Sequence, residues 1–232
     1  MESLTDATLE AFRLLFTGDP EVWGIIGLSL AVSCGAILLA VPPAIALAYA
    51  MSERRFPGRR ALIVAMQSLL SFPTVVVGLV LYLMLSRRGP LGAWDLIFTP
   101  EAMVIGQFVI AFPILAALGF SALQKNDVRV RETALALGAS PRQAMAMEFH
   151  EARFSIVAAV LAGFGRVISE VGCALMVGGN IAGHTRNIPT AIALETAKGK
   201  FAEGIALGVV LLVLALGVSA VLSHYQGRGE KR

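Results

Sequence analysis

Five apolar blocks set the terms on which this chain can fold. They cover residues 22–50, 61–85, 102–123, 154–177 and 201–223. Each reaches the roughly 20 residues that a helix needs to cross the hydrocarbon core of a bilayer. Charged residues make up 15% of the 232-residue chain, against roughly a quarter in soluble domains. The deficit is concentrated in these blocks. The expected class is an all-α membrane protein with five transmembrane helices. The first block is too long for the apolar core of a cleavable signal peptide, and no basic stretch precedes it, so it reads as a retained span.

Lysine and arginine in the connections orient the spans. One side collects Arg54, Arg55, Arg59 and Arg60, then Lys125, Arg129, Arg131, Arg142 and Arg153, then Arg228, Lys231 and Arg232. The other has Arg13, Arg87, Arg88, Arg186, Lys198 and Lys200. This two-to-one bias puts the N-terminus outside and the C-terminus in the cytoplasm. The net charge of +3 is too small to suggest nucleic acid as a partner. The chain then divides into an external or interfacial segment (1–21), a membrane domain (22–224) and a cytoplasmic tail (225–232).

Residues 3–16 read as a short amphipathic helix, with Leu9, Phe12 and Phe16 on one side, ended by Gly18-Asp19-Pro20. It suits either the membrane surface or packing beside an external binding protein. Pro42-Pro43, Pro73 and Pro113 fall inside spans and are expected to bend them. Trp94 and Phe98 suit the membrane interface. Pro189 and Lys198-Gly199 bracket a short external helix over 189–198. Cys34 and Cys173 both lie in spans, where lone thiols act as small packing residues.

Arg166 and Glu170 stand near the middle of the fourth block. Each would cost about 2.5–3.5 kcal/mol at the bilayer centre on insertion scales. Their four-residue spacing places them on one helical face, where they can pair. Two readings stand: an ion pair that locks this helix to its neighbours, or a path on which Arg166 attracts an oxyanion and Glu170 prevents its permanent capture.

The charged stretch between the third and fourth blocks, residues 124–153, is the chain's largest offering to water on the basic side. Two short helices fit 127–152. Asp127 caps the first and Gly138 ends it; Ser140 caps the second, with Pro141 at its first position and Gln143 completing a capping box. Ala144, Met145 and Glu148 form a small, adaptable side of the second helix, of a kind that docks into a groove.

Within that stretch, Glu132-Thr133-Ala134, three residues and Gly138 resemble the E-A-A-x-x-x-G signature of ABC importer permeases. The family's usual I-x-L-P ending is replaced here by Glu148-Phe149-His150-Glu151. Arg54-Arg55-Phe56-Pro57-Gly58-Arg59, Arg87-Arg88-Gly89-Pro90-Leu91-Gly92 and the run from Gly179 to Arg186 resemble the molybdate and tungstate permeases. Glu151-Ala152-Arg153 and AIALETAKGKF are most like the tungstate branch. The resemblance implies a type I importer fold. It implies a coupling loop (Glu132, Thr133, Ala134, Gly138, Ala139, Ser140, Pro141, Ala144, Met145) seated on a cytoplasmic ABC ATPase. It further implies an extracytoplasmic oxyanion-binding protein, a second copy of the chain, and the cell (inner) membrane as the location.

Several chemistries are absent from the sequence. No G-x-x-x-x-G-K-[ST] occurs, so ATP and Mg are expected on the partner ATPase and no cofactor on this chain. His150-Glu151 lacks the second histidine of a zinc protease, Phe154 standing in its place, and Gly163-Phe164-Gly165 is no dinucleotide fingerprint. No catalytic or metal-binding residue is expected. The functional expectation is alternating-access import of an oxyanion, tungstate first, with molybdate, sulfate or another solute as the alternative. An ion-coupled secondary carrier and a non-transport scaffold are the rivals from other classes.

Overall fold

A computed structural model describes residues 4–53, 56–124 and 128–229. Among these residues the regular structure is helical throughout, with no strand. The elements are α1 (Leu4–Thr17), α2 (Pro20–Glu53), α3 (Arg59–Leu69), α4 (Thr74–Leu85), α5 (Pro100–Gln124), α6 (Val128–Ala136), α7 (Pro141–Ile168), α8 (Gly172–Gly178), α9 (Ile188–Ala197) and α10 (Phe201–Gly229). Three helices are long and apolar enough to cross a membrane: α2, α5 and the Phe201–Val221 part of α10. Two broken pairs, α3 with α4 and α7 with α8, pass the same test together, which gives up to five spans.

Local chemistry explains most helix ends. Gly18 adopts φ 74°, a left-handed conformation that ends α1. The Asp19 carboxylate then accepts the N–H groups of Glu21 and Val22, both at 3.0 Å, and starts α2. The short helix expected over 189–198 is α9. Asn187 accepts the Thr190 N–H while the Thr190 hydroxyl accepts the Asn187 N–H, both at 3.1 Å.

The prolines behave unequally. Pro42-Pro43 and Pro113 remain inside continuous helices. Buried Ala40, Ala44 and Ala48 pack one side of α2 around the proline pair. Pro73 breaks the second block outright, since α3 stops at Leu69 and α4 begins at Thr74. Its ring steers Phe72 away from the helical region, and its carbonyl accepts the Val76 and Val77 N–H groups that open α4.

Two expectations need correction. The second loop helix is not short: α7 runs unbroken from Pro141 to Ile168, because no glycine or proline interrupts residues 142–162. The fourth block is not one straight helix either, since α7 and α8 meet at a 59° bend. Glu170 therefore lies in the break between two helices. The Asp127 cap, and the basic residues Arg54, Arg55, Lys125, Lys231 and Arg232, lie outside the described residues.

The chain forms two compact units. The first comprises Met1–Leu38, Phe72–Ala111 and Phe164–Gly217. Its core joins Val22, Ile25 and Ile26 of α2 to Ile188 and Ala191 of α9 and Leu207 of α10. The Ser29 hydroxyl accepts the Ile188 N–H at 2.7 Å and pins α9 to α2. Cys173, a free and buried thiol, lies in the close packing of α8 on α4 and α5; Cys34 is free and exposed. Trp94 and Phe98 are both exposed, and the Phe98 ring lies tilted against Tyr82 with centroids 6.1 Å apart.

The second unit comprises Leu39–Ser71, Phe112–Gly163 and Val218–Arg232. Here α2 and α5 approach closely: a Cβ at Gly119 would stand 2.9 Å from Ile45 and 3.2 Å from Ala48. Arg59 donates to the Met51 carbonyl and lies over the Phe120 ring, tying the start of α3 to α2 and α5.

Candidate coupling loop and intramembrane ion pair

The loop between α6 and α7 is shaped by two capping devices in sequence. Gly138 sits at φ 87°. Its N–H reaches the Leu135 carbonyl and the Ala139 N–H reaches the Ala134 carbonyl, each at 3.0 Å. This paired closure lets a left-handed glycine satisfy the last carbonyls of a helix. Ser140 follows immediately. Its N–H donates to Gln143 Oε1 at 2.7 Å, and its hydroxyl accepts the Gln143 N–H at 3.4 Å. Pro141 then occupies the first position of α7, where a missing N–H costs nothing.

The loop has two faces. Glu132, Thr133, Gly138, Ser140 and Pro141 are exposed, while Ala139 and Met145 are half-buried. Ala134 and Ala144 are buried, so they support the loop from within. Glu148, expected on the presented side with Ala144 and Met145, is buried as well. The outward surface instead includes apolar residues that the sequence reading passed over: Leu135, Met147 and Leu137, the last 84% exposed.

A charge cluster braces the inner face. Arg131 Nη1 lies 2.7 Å from a Glu53 oxygen and 3.2 Å from a Glu148 oxygen, and it donates to the Tyr49 hydroxyl at 3.0 Å. The Tyr49 hydroxyl in turn donates to Glu148 at 3.3 Å, and its ring lies tilted against Phe149 with centroids 5.3 Å apart. The Tyr49 hydrogen bond holds the Arg131 proton above the usual guanidinium range, burial opposes it, and the neighbouring carboxylates reinforce it. Sequence spacing hid this cluster, because its members are up to 99 residues apart.

Arg166 and Glu170 do pair, with Arg166 Nη1 at 2.8 Å from Glu170 Oε2. Glu170 Oε1 accepts the Cys173 N–H at 3.2 Å, so the carboxylate also caps α8. The guanidinium is 46% exposed and the carboxylate 3%. The coupling loop and this ion pair belong to different units. Among the described residues no group of three or more His, Cys, Asp or Glu side chains could hold a metal ion.

The backbone is similar to a solved chain, a crystal structure of an amino acid ABC transporter with histidines. The TM-score is 0.61 at 19% identity, over 94% of this chain and 98% of the other. That likeness shows a fold shared with a chain of an ABC transporter structure. Sequence relatives narrow the class. A probable anion ABC transporter permease of Haloferax volcanii is 42% identical, over 90% of this chain and 92% of the relative. The tungstate uptake system permease protein TupB of Peptoclostridium acidaminophilum is 38% identical, over 97% and 99%. No protein-family model matches the chain. The chain belongs to the family of ABC transporter permeases, and it is a multi-pass protein of the cell membrane.

Proposed function

We propose that this chain is the membrane-spanning subunit of an ATP-driven tungstate importer. The observation that carries this reading is the loop centred on Gly138: two caps fix its shape, and it presents Glu132, Thr133, Leu137, Ser140 and Pro141 to a partner. Five spans, with the N-terminus outside and the C-terminus in the cytoplasm, put that loop on the cytoplasmic side. Near-full-length similarity to a tungstate permease favours tungstate over other oxyanions.

The mechanism is alternating access. A separate ABC ATPase, carrying ATP and Mg, closes on its nucleotides and carries the loop with it. One loop serves one ATPase, and paired ATPases require two copies of this chain, so a homodimer forms around the path. An extracytoplasmic binding protein delivers the anion. In the membrane, Arg166 offers an accessible positive charge to a passing oxyanion, and Glu170 limits how tightly it is held.

The test is uptake into vesicles that hold this chain, its ATPase and its binding protein. Tungstate uptake that requires ATP, and that outcompetes molybdate and sulfate, is the expected result. Preference for molybdate or sulfate would move the substrate within the same machine. Uptake that follows an ion gradient without the ATPase would instead support an ion-coupled carrier, and absence of any flux a scaffold.

A further inference from the structure

We propose that Arg131 is the positioning residue by which the docking loop grips the transmembrane helices it drives. The inference rests on the coupling role proposed above for the loop between α6 and α7.

Three helices converge on a single nitrogen. Arg131 belongs to α6, Tyr49 and Glu53 to the last turns of α2, and Glu148 to the second turn of α7. Nη1 reaches Glu53 at 2.7 Å, the Tyr49 hydroxyl at 3.0 Å and Glu148 at 3.2 Å. Removing the cation leaves two carboxylates facing each other, one of them, Glu148, with its side chain only 10% exposed. Like charges in a partly buried site repel, so without Arg131 the α2–α7 junction keeps only its Tyr49 contacts and α6 loses its charge link to both helices.

The geometry also assigns the two sides of α6. Arg131 and Ala134, three residues apart, share its inner side, where Ala134 is buried. Glu132 and Thr133 are exposed on the outer side. A push received outside therefore reaches α2 and α7 through the Arg131 cluster. A charge shared by three acceptors cannot move without taking them along or breaking.

The chemistry sets a discriminating substitution. All three contacts end on one nitrogen, so the planar fork of arginine is not required. A lysine ammonium has three donors and can serve the same acceptors. Methionine fills similar space without charge.

The experiment measures tungstate taken up per ATP hydrolysed, in proteoliposomes containing the chain with its ATPase and binding protein. Arg131→Met is expected to lower that ratio about tenfold, within the usual range of coupling energies. Arg131→Lys stays near the wild-type ratio. An unchanged ratio in Arg131→Met, or a loss in Arg131→Lys equal to that in Arg131→Met, overturns the inference. Glu53→Ala removes the shortest contact and leaves Arg131 in place. It decides the matter if Arg131→Met does not assemble: a lower ratio supports the grip, and an unchanged one overturns it. A wild-type chain that retains no ATPase would overturn the coupling reading itself, and this inference with it. A coupled wild type with an equally coupled Arg131→Met overturns this inference alone.

Discussion

Arg166 and Glu170 are joined across the end of a helix. The guanidinium stands 2.8 Å from one carboxylate oxygen while the other oxygen caps α8 through the Cys173 N–H. The partners are unequal, because Glu170 is almost fully buried and Arg166 is half exposed. Arg166→Met strands a buried carboxylate. Glu170→Gln leaves a guanidinium that water can reach and keeps an amide oxygen for the cap. Arg166→Met should therefore be the more destabilising, by about 2 kcal/mol relative to Glu170→Gln. Thermal unfolding in detergent measures the order, and the reverse order would show that the cation does not compensate Glu170. Full uptake by the double variant Arg166→Ala with Glu170→Ala would remove any essential transport role for the pair.

Gly138 tests the shape of the loop. Its φ of 87° is open to glycine, and a Cβ there would meet nothing within 4 Å. The penalty for a side chain is then conformational only, about 1–2 kcal/mol for alanine. Asparagine tolerates that region better and proline is barred from it. Uptake per ATP should fall in the order Gly138, Asn, Ala, Pro, while the chain still reaches the membrane. Normal transport by Gly138→Pro would remove the turn from the mechanism.

The outer surface of the loop can be altered without touching a core. Glu132 is exposed, and Leu137 is 84% exposed. Glu132→Lys and Leu137→Ala should leave stability within about 0.5 kcal/mol, as surface changes do. Both should weaken co-purification of the ATPase. Retention of the ATPase at wild-type levels by both variants would place its docking surface elsewhere.

Much of this was legible in the sequence, and the remainder fails for identifiable reasons. Gly138, Ser140 and Gln143 act through neighbours within a few residues, so spacing alone exposed the turn they build. Pro73 breaks its helix by local sterics, whereas Pro42-Pro43 and Pro113 sit inside continuous helices, the proline pair amid close-packed alanines. That difference is tertiary. The break after Ile168 has no proline; it arises where Glu170 caps α8 and Gly172 lies against Val75, a contact a Cβ would make at 2.5 Å. Arg131 was counted only as a loop charge, since its acceptors come from α2 and α7. The burial of Ala144 and Glu148 followed from the unforeseen continuity of α7.

Glu195 on α9 gives a pH dependence. Burial pushes its carboxyl up, but Lys198, Lys200 and Arg186 outweigh burial and hold it below its ordinary value of 4.5. A depressed folded value means stability that is present above pH 4.5 and lost as pH falls through the folded value. Hydrogen exchange across Ile188–Ala197, corrected for intrinsic rates, should be slower at pH 7 than at pH 4. Glu195→Gln should abolish most of that difference. An equal difference in the variant would assign the acid response to another group.

Cys173 lies where two glycines make close approach possible. A Cβ at Gly106 would stand 2.7 Å from the Cys173 sulfur, and one at Gly78 would stand 2.8 Å from the Cys173 Cα and 2.9 Å from the Met176 Cβ. Both alanine substitutions overpack the site, at about 1–3 kcal/mol each. Their remedies differ. Cys173→Ala removes the atom that Gly106→Ala strikes, so that pair should recover most of the lost stability. The same change leaves the Cα that Gly78→Ala strikes, so that pair should recover little. Gly208, where a Cβ meets nothing within 4 Å, supplies the control, and alanine there should be neutral or slightly stabilising. Melting temperatures of the five variants separate side-chain crowding from backbone contact. Equal rescue of both glycine variants by Cys173→Ala would show that α4 and α8 can move apart, and that their packing is looser than these distances require.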